Sequence, residues 1–102
     1  MKSDQLRIAI LSRNRTLYST KRLIEAIEKR GHRAVVLDHL KCDIVIEQDR
    51  PTIFYHGDEV KDVAAVIPRI GASVTFYGAA VVRQFEMMNI PTVVESQALV
   101  RS

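Results

Sequence analysis

Two short apolar runs with a helical stripe between them constrain this chain most. Leu6-Arg7-Ile8-Ala9-Ile10-Leu11 and Arg33-Ala34-Val35-Val36-Leu37-Asp38 are nearly continuous rather than alternating. Such a run suits a strand covered on both faces, as in a parallel sheet. Two parallel strands need a long crossover, usually a helix. The segment between the runs supplies one. Leu23, Ile24, Ala26 and Ile27 form an apolar stripe at helical spacing, and Glu25 and Lys29 stand four apart in the favourable order. Ser19 or Thr20 is placed to cap the start, and Gly31, after two basic residues, to stop the end.

The alternation continues downstream. Asp43-Ile44-Val45-Ile46-Glu47 and Thr52-Ile53-Phe54-Tyr55 predict a small antiparallel hairpin ending at His56-Gly57-Asp58. Ala64-Ala65-Val66-Ile67-Pro68 is a third core strand, with Pro68 ending its ladder. Ser73 is placed to cap a second long helix over 74–89, whose inward stripe is Tyr77, Ala80, Val81, Gln84, Phe85 and Met88, with Asn89 as the stop. Phe76-Tyr77 and Met87-Met88 are expected in the core. Pro91-Thr92-Val93-Val94 predicts a fourth short strand, and Glu95 to Arg101 begins another helix. The fold class expected is α/β: a Rossmann-like parallel sheet of about four strands, helices on both faces, plus a small β-hairpin excursion.

At 102 residues the chain is expected to form a single domain over 1–102. With 47% hydrophobic and 26% charged residues, whole-chain disorder is excluded. No apolar run approaches the ~20 residues that span a bilayer, so no membrane partner is expected. The amino end has no apolar signal region, and the expected location is the cytoplasm. One cysteine, Cys42, excludes an internal disulfide and any multi-cysteine metal site. The net charge of +3 is scattered, without Trp or a basic stripe interleaved with aromatics, so no nucleic-acid partner is expected.

Open parallel sheets bind ligands outside the carboxyl ends of their strands. After the first strand this edge carries Ser12, Arg13, Asn14 and Arg15; after the second, Asp38 and His39; after the third, Pro68, Arg69, Ile70, Gly71 and Ser73; after the fourth, Glu95 and Ser96. Two separate loops thus bring guanidinium groups, suited to gripping carboxylate or phosphate bidentately, to one rim. Arg13 and Arg69 are the candidate anion-binding residues, with Asn14, Gly71, Ser73 and Glu95 as lesser members; Gly71 would admit close backbone approach. The competing reading makes the arginines solvated loop residues or internal ion-pair partners.

Sharper motifs fail. A dinucleotide site needs a Gly-x-Gly-x-x-Gly turn, and Ser12-Arg13-Asn14-Arg15-Thr16-Leu17 has no glycine. Asp38 therefore reads as a strand-end or capping carboxylate. Cys42 reads as a buried, inert thiol. His32, His39 and His56 lack helical metal-site spacing and read as structural residues at element ends or turns. Asp58-Glu59 reads as a solvated turn. No nucleophile constellation is visible, so no catalytic or metal-ligating residue is assigned.

Several segments together resemble the opening of the RimK-type ATP-grasp ligases. They are Leu6 to Leu17, Tyr18-Ser19-Thr20-Lys21-Arg22-Leu23, Arg30-Gly31-His32, Cys42, Ala65-Val66-Ile67-Pro68-Arg69-Ile70-Gly71, Thr75-Phe76-Tyr77-Gly78, Arg83-Gln84-Phe85-Glu86-Met87 and Glu95-Ser96. The resemblance covers essentially the whole chain. It implies the domain that precedes the ATP-grasp in alpha-L-glutamate ligases, which join a carboxylate to an amine through an acyl phosphate, in RimK itself adding glutamate to a ribosomal protein tail. It also implies that ATP and magnesium are held by later domains, so that no cofactor belongs to this chain and these residues alone are inactive. The implied partners are an ATP-grasp domain, an acidic substrate (glutamate or a ribosomal protein tail) and further copies in a homo-oligomer. The alternative is a stand-alone, non-catalytic interaction module with the 74–89 helix as contact face. Departures from the family pattern are Asn14-Arg15 after Ser12-Arg13, Ala64 before the Ala-Val-Ile-Pro run, and Val94 before Glu95-Ser96.

Overall fold

Two sheets divide the work. The first is parallel, with β1 (Arg7–Leu11) at its centre, β2 (Arg33–Leu37) on one side and β6 (Ala65–Pro68) on the other. In register, Arg7 faces Arg33 and Leu11 faces Leu37, while Ile8 faces Ala65 and Leu11 faces Pro68. The second is antiparallel: β3 (Cys42–Glu47) pairs with β4 (Arg50–Tyr55), which pairs with β5 (Asp58–Glu59). The computed structural model describes residues 5–13, 18–69 and 76–94.

Period-two alternation along the parallel sheet feeds two cores. Ile10 and Ile67 turn to one face and pack with Leu23 and Ile27 of α1 (Tyr18–Lys29), with Ile8, Ala34 and Val36 at the margin. Ala9, Leu11, Leu37 and Val66 turn to the other face, against Val81 and Phe85 of α2 (Phe76–Met87) and Cys42 and Ile53 of the antiparallel sheet. This two-sided burial is why the runs are continuous rather than alternating.

Both helices end in the same way. Gly31 has φ +86°, its N–H bonds Glu28 O at 2.9 Å, and the next N–H, of His32, reaches back to Ile27 O at 3.2 Å. Asn89 has φ +65°, with Asn89 N–H to Glu86 O at 2.9 Å and Ile90 N–H to Phe85 O at 2.9 Å. Each pair is a Schellman closure, and glycine or asparagine is expected at its left-handed residue. The expected helix stops at Gly31 and Asn89 are both found.

Other expectations need correction. Among the described residues the parallel sheet has three strands, and the expected fourth strand of a Rossmann-like sheet is not found. The 91–94 segment forms a single parallel bridge, Val66 with Thr92, held by Val66 N–H to Pro91 O and Val93 N–H to Val66 O. Pro91, which has no N–H, opens this segment and limits the ladder it can form. The excursion is more than a hairpin, because Asp58 and Glu59 form β5 rather than a solvated turn. Glu59 pairs there with Arg50 at 3.5 Å, an exposed contact of small energy. Ser19 and Thr20 lie inside the first turn of α1 rather than before it. Thr20 is buried, its hydroxyl bonded to that of Ser12 at 3.1 Å, tying α1 to the end of β1.

Tyr77 of α2 and Met88 just after it pack inward, but Phe76 is 93% exposed and Met87 is also exposed. Phe76 and Met87 stand eleven residues, about three turns, apart, and so share the outward face. The expected cap at Ser73 and the helix from Glu95 lie outside the described residues. Among the described residues, no helix is long and apolar enough to cross a membrane.

Candidate functional site

The carboxyl ends of β2, β1 and β6 form one edge, and backbone bonds carry the ladder beyond the strands. Ser12 N–H donates to Leu37 O at 3.0 Å, and Arg69 N–H donates to Leu11 O at 2.9 Å. Arg13 and Arg69 therefore leave neighbouring strands within a residue or two of paired positions. Neighbouring strands lie roughly 4.8 Å apart, so the three strand ends span about 10 Å. Arg13 is exposed and Arg69 half-buried. Of the expected lesser members, Asn14, Gly71, Ser73 and Glu95 lie outside the described residues. Ala64, where the family pattern has an acid, lies at the far end of the sheet, its N–H bonded to Arg7 O at 2.8 Å.

The third strand end is the one whose importance the sequence concealed. After β2 the chain makes a 3₁₀ turn, His39–Lys41, capped by Asp38, whose carboxylate accepts from Leu40 N–H at 3.0 Å. Asp38 thus takes the capping role expected of it. Side chains from both flanking elements fix the turn. The Tyr55 hydroxyl accepts from Asp38 N–H at 3.1 Å, and the Tyr77 hydroxyl donates to Cys42 O. The Cys42 thiol donates to Asp38 O at 3.6 Å. Burial above all, with Asp38 and Asp43 nearby, pushes that thiol up to about 12, in keeping with an inert role.

Within this turn His39 is 1% exposed, and neither ring nitrogen has a hydrogen-bond partner. Burial is the main cause of a pKa below the ordinary histidine value; Asp38 raises it and Arg13 lowers it. His32, by contrast, has a structural partner, its Nδ1 accepting from Leu6 N–H at 3.0 Å. His56 lies in the β4–β5 turn, its ring edge-on to that of Tyr55 at 4.3 Å. Spacing alone could not separate His39 from these two. The only available signal was its position just past a strand end.

The backbone of this edge therefore carries Arg13, Arg69 and His39 on three adjacent strand ends. Among the described residues, no three His, Cys, Asp or Glu side chains gather into a metal site.

Residues 6–99 match the family described as the RimK PreATP-grasp domain. The chain is 58% identical over 97 residues to a probable alpha-L-glutamate ligase of Aliivibrio fischeri, and 59% identical over 97 residues to one from Vibrio cholerae. Each match covers 95% of this chain and 32% of the relative, so the chain spans about a third of the length of these curated relatives. Among solved structures, a RimK domain ATP-grasp protein from Sphaerobacter thermophilus matches with a TM-score of 0.62 and 25% identity, covering 90% of this chain and 31% of that one.

Proposed function

The chain belongs to the RimK pre-ATP-grasp domain family, and from that premise we propose that it forms the substrate-cleft wall of an ATP-dependent carboxylate–amine ligase acting on glutamate. Arg13 and Arg69 would grip the carboxylates of an acidic substrate, either glutamate or the acidic tail of a ribosomal protein. ATP and magnesium would be held by an ATP-grasp partner domain, leaving these residues inactive alone in the cytoplasm. The observation that supports this most is the backbone pairing of Ser12 with Leu37 and of Arg69 with Leu11, which brings both arginines to one edge. A guanidinium fork fits a carboxylate bidentately, and two forks on adjacent strand ends fit a ligand with two such groups.

The test is made in a ligase that joins this domain to an ATP-grasp domain. Arg13→Ala and Arg69→Ala should each raise the KM for glutamate or acceptor about tenfold or more, from the worth of a charged hydrogen bond, while the KM for ATP stays put. Unchanged KM values for both substrates would remove the rim from the site.

A second reading, the self-associating interaction module, has its own support. The outer face of α2 and Ile44 of β3 border a groove of ≈ 440 Å³ that includes Phe76, Ala79, Arg83 and Met87. If this face joins copies of the chain, Phe76→Asp should lower the mass measured by light scattering. An unchanged mass would exclude it.

A further inference from the structure

From the unpartnered ring of His39 at the end of β2, between the Arg13 and Arg69 edge and α2, we infer that this imidazole is a third binding group of the rim, donating an N–H to a carboxylate of a small acidic ligand. The inference rests on the proposed acidic-substrate reading and adds a residue to it. A neutral imidazole offers one donor and one acceptor. Buried polar atoms nearly always find partners, and exceptions in a packed interior need a cause. Here the neighbouring polar groups are already paired with one another. Asp38 carboxylate takes Leu40 N–H, Tyr55 hydroxyl takes Asp38 N–H, and Tyr77 hydroxyl and Cys42 thiol go to backbone carbonyls. The turn thus leaves only the histidine ring unsatisfied.

Placement supplies the ligand chemistry. Leu37 pairs with Leu11 and is followed two residues later by His39, just as Leu11 is followed two residues later by Arg13. The turn that carries the ring therefore stands one strand over from Arg13, at the carboxyl edge of the sheet. Two arginines and one neutral donor on three separate strand ends suit a ligand whose anionic groups are themselves separated, as in a dicarboxylate, where a phosphate offers one compact centre. The ring is shut from water, and a hydrogen bond made there is strengthened by the low local dielectric.

The test uses this chain with L-glutamate as probe, following the imidazole and amide nitrogen signals of residues 38–42 by NMR, and titrates the unsubstituted chain, His39→Leu, His39→Gln and Arg13→Ala. His39→Leu is expected to weaken glutamate binding about tenfold or more and to raise the melting temperature, since an unsatisfied polar ring is replaced by an apolar side chain. His39→Gln, which keeps an N–H donor, should recover part of the affinity. Three results overturn the inference while leaving the rim reading intact: unchanged affinity in His39→Leu alongside a loss in Arg13→Ala, a lower melting temperature in His39→Leu, or no ring shift on saturation. Absence of glutamate binding by the unsubstituted chain removes the rim reading and the inference together.

Discussion

Gln84 gives the sharpest test of how α2 holds the antiparallel sheet. It is buried, and its side-chain amide donates to Val45 O at 3.1 Å and to Thr52 O at 3.0 Å. Val45 and Thr52 are partners in the β3–β4 register, and the Thr52 hydroxyl also donates to Val45 O at 3.2 Å. One amide therefore spans a whole rung. Gln84→Met keeps length and volume, so packing should change by less than about 1.5 kcal/mol. It removes two hydrogen bonds worth roughly 0.5–1.5 kcal/mol each and strips buried Thr52 O of that donor. The loss should be about 2–4 kcal/mol, a large share of the roughly 5–15 kcal/mol that holds a domain of this size together. The midpoint of urea unfolding should fall accordingly with the slope unchanged. A loss below about 0.5 kcal/mol would refute the claim that the amide bridges the two strands. Thr52→Val on top of Gln84→Met should cost more than it does alone, because both donors share Val45 O and the first loss leaves the other in place.

Gly31→Ala should cost about 1 kcal/mol in thermal unfolding. A Cβ there meets nothing within 4 Å, so the loss comes from φ +86° and not from a clash; no loss would mean another conformation ends α1. His39 should make stability pH-dependent. Its pKa is lowered by folding, so the unfolded chain binds more protons once pH falls below the ordinary value of about 6.5, and stability drops from there downward. The difference in unfolding midpoint between the parent chain and His39→Leu should widen as pH goes from neutral to mildly acidic, and a constant difference would contradict a buried neutral ring. The Cys42 thiol, at about 12 and buried, should resist thiol reagents at pH 8 until the domain opens, so that labelling tracks unfolding; rapid labelling of the folded chain would place Cys42 at the surface.

Much of this architecture was legible in the sequence because its signals are local. Continuous apolar runs marked β1, β2 and β6, and left-handed residues after helical stripes marked Gly31 and Asn89. What escaped notice depends on partners distant in sequence. Asp58 and Glu59 carry no strand propensity; they form β5 because Tyr55 and Phe54 turn back to meet them across His56-Gly57. Pro91 to Val94 look like a strand by composition, but that stretch makes only the bridge at Val66. Thr20 seemed a cap and is instead a buried hydroxyl, its role set by Ser12, eight residues earlier. His39 is the clearest instance. Three histidines with equally bland spacing differ only in whether folding supplies each ring with a partner. His32 receives a backbone N–H, His56 an aromatic neighbour, and His39 neither a donor nor an acceptor.

The rim's geometry depends on the ladder more than on loops. Ser12 N–H to Leu37 O and Arg69 N–H to Leu11 O continue sheet pairing one step past each strand, so the backbone beneath Arg13 and Arg69 is set by the parallel register. The same register sets His39, through Leu37. On the proposed reading, the backbone beneath these groups is placed before any ligand arrives, which lowers the ordering cost of binding, and substrate grip is coupled to sheet integrity. A change at Leu11 or Leu37, both buried in the core between the sheet and α2, should disturb anion binding as surely as removing a guanidinium, though neither side chain touches the ligand. Such core changes would also lower stability, whereas Arg13→Ala, at an exposed position, should leave stability within about 0.5 kcal/mol of the parent. Comparing the two classes of variant separates a rim held by its sheet from one held by its own side chains.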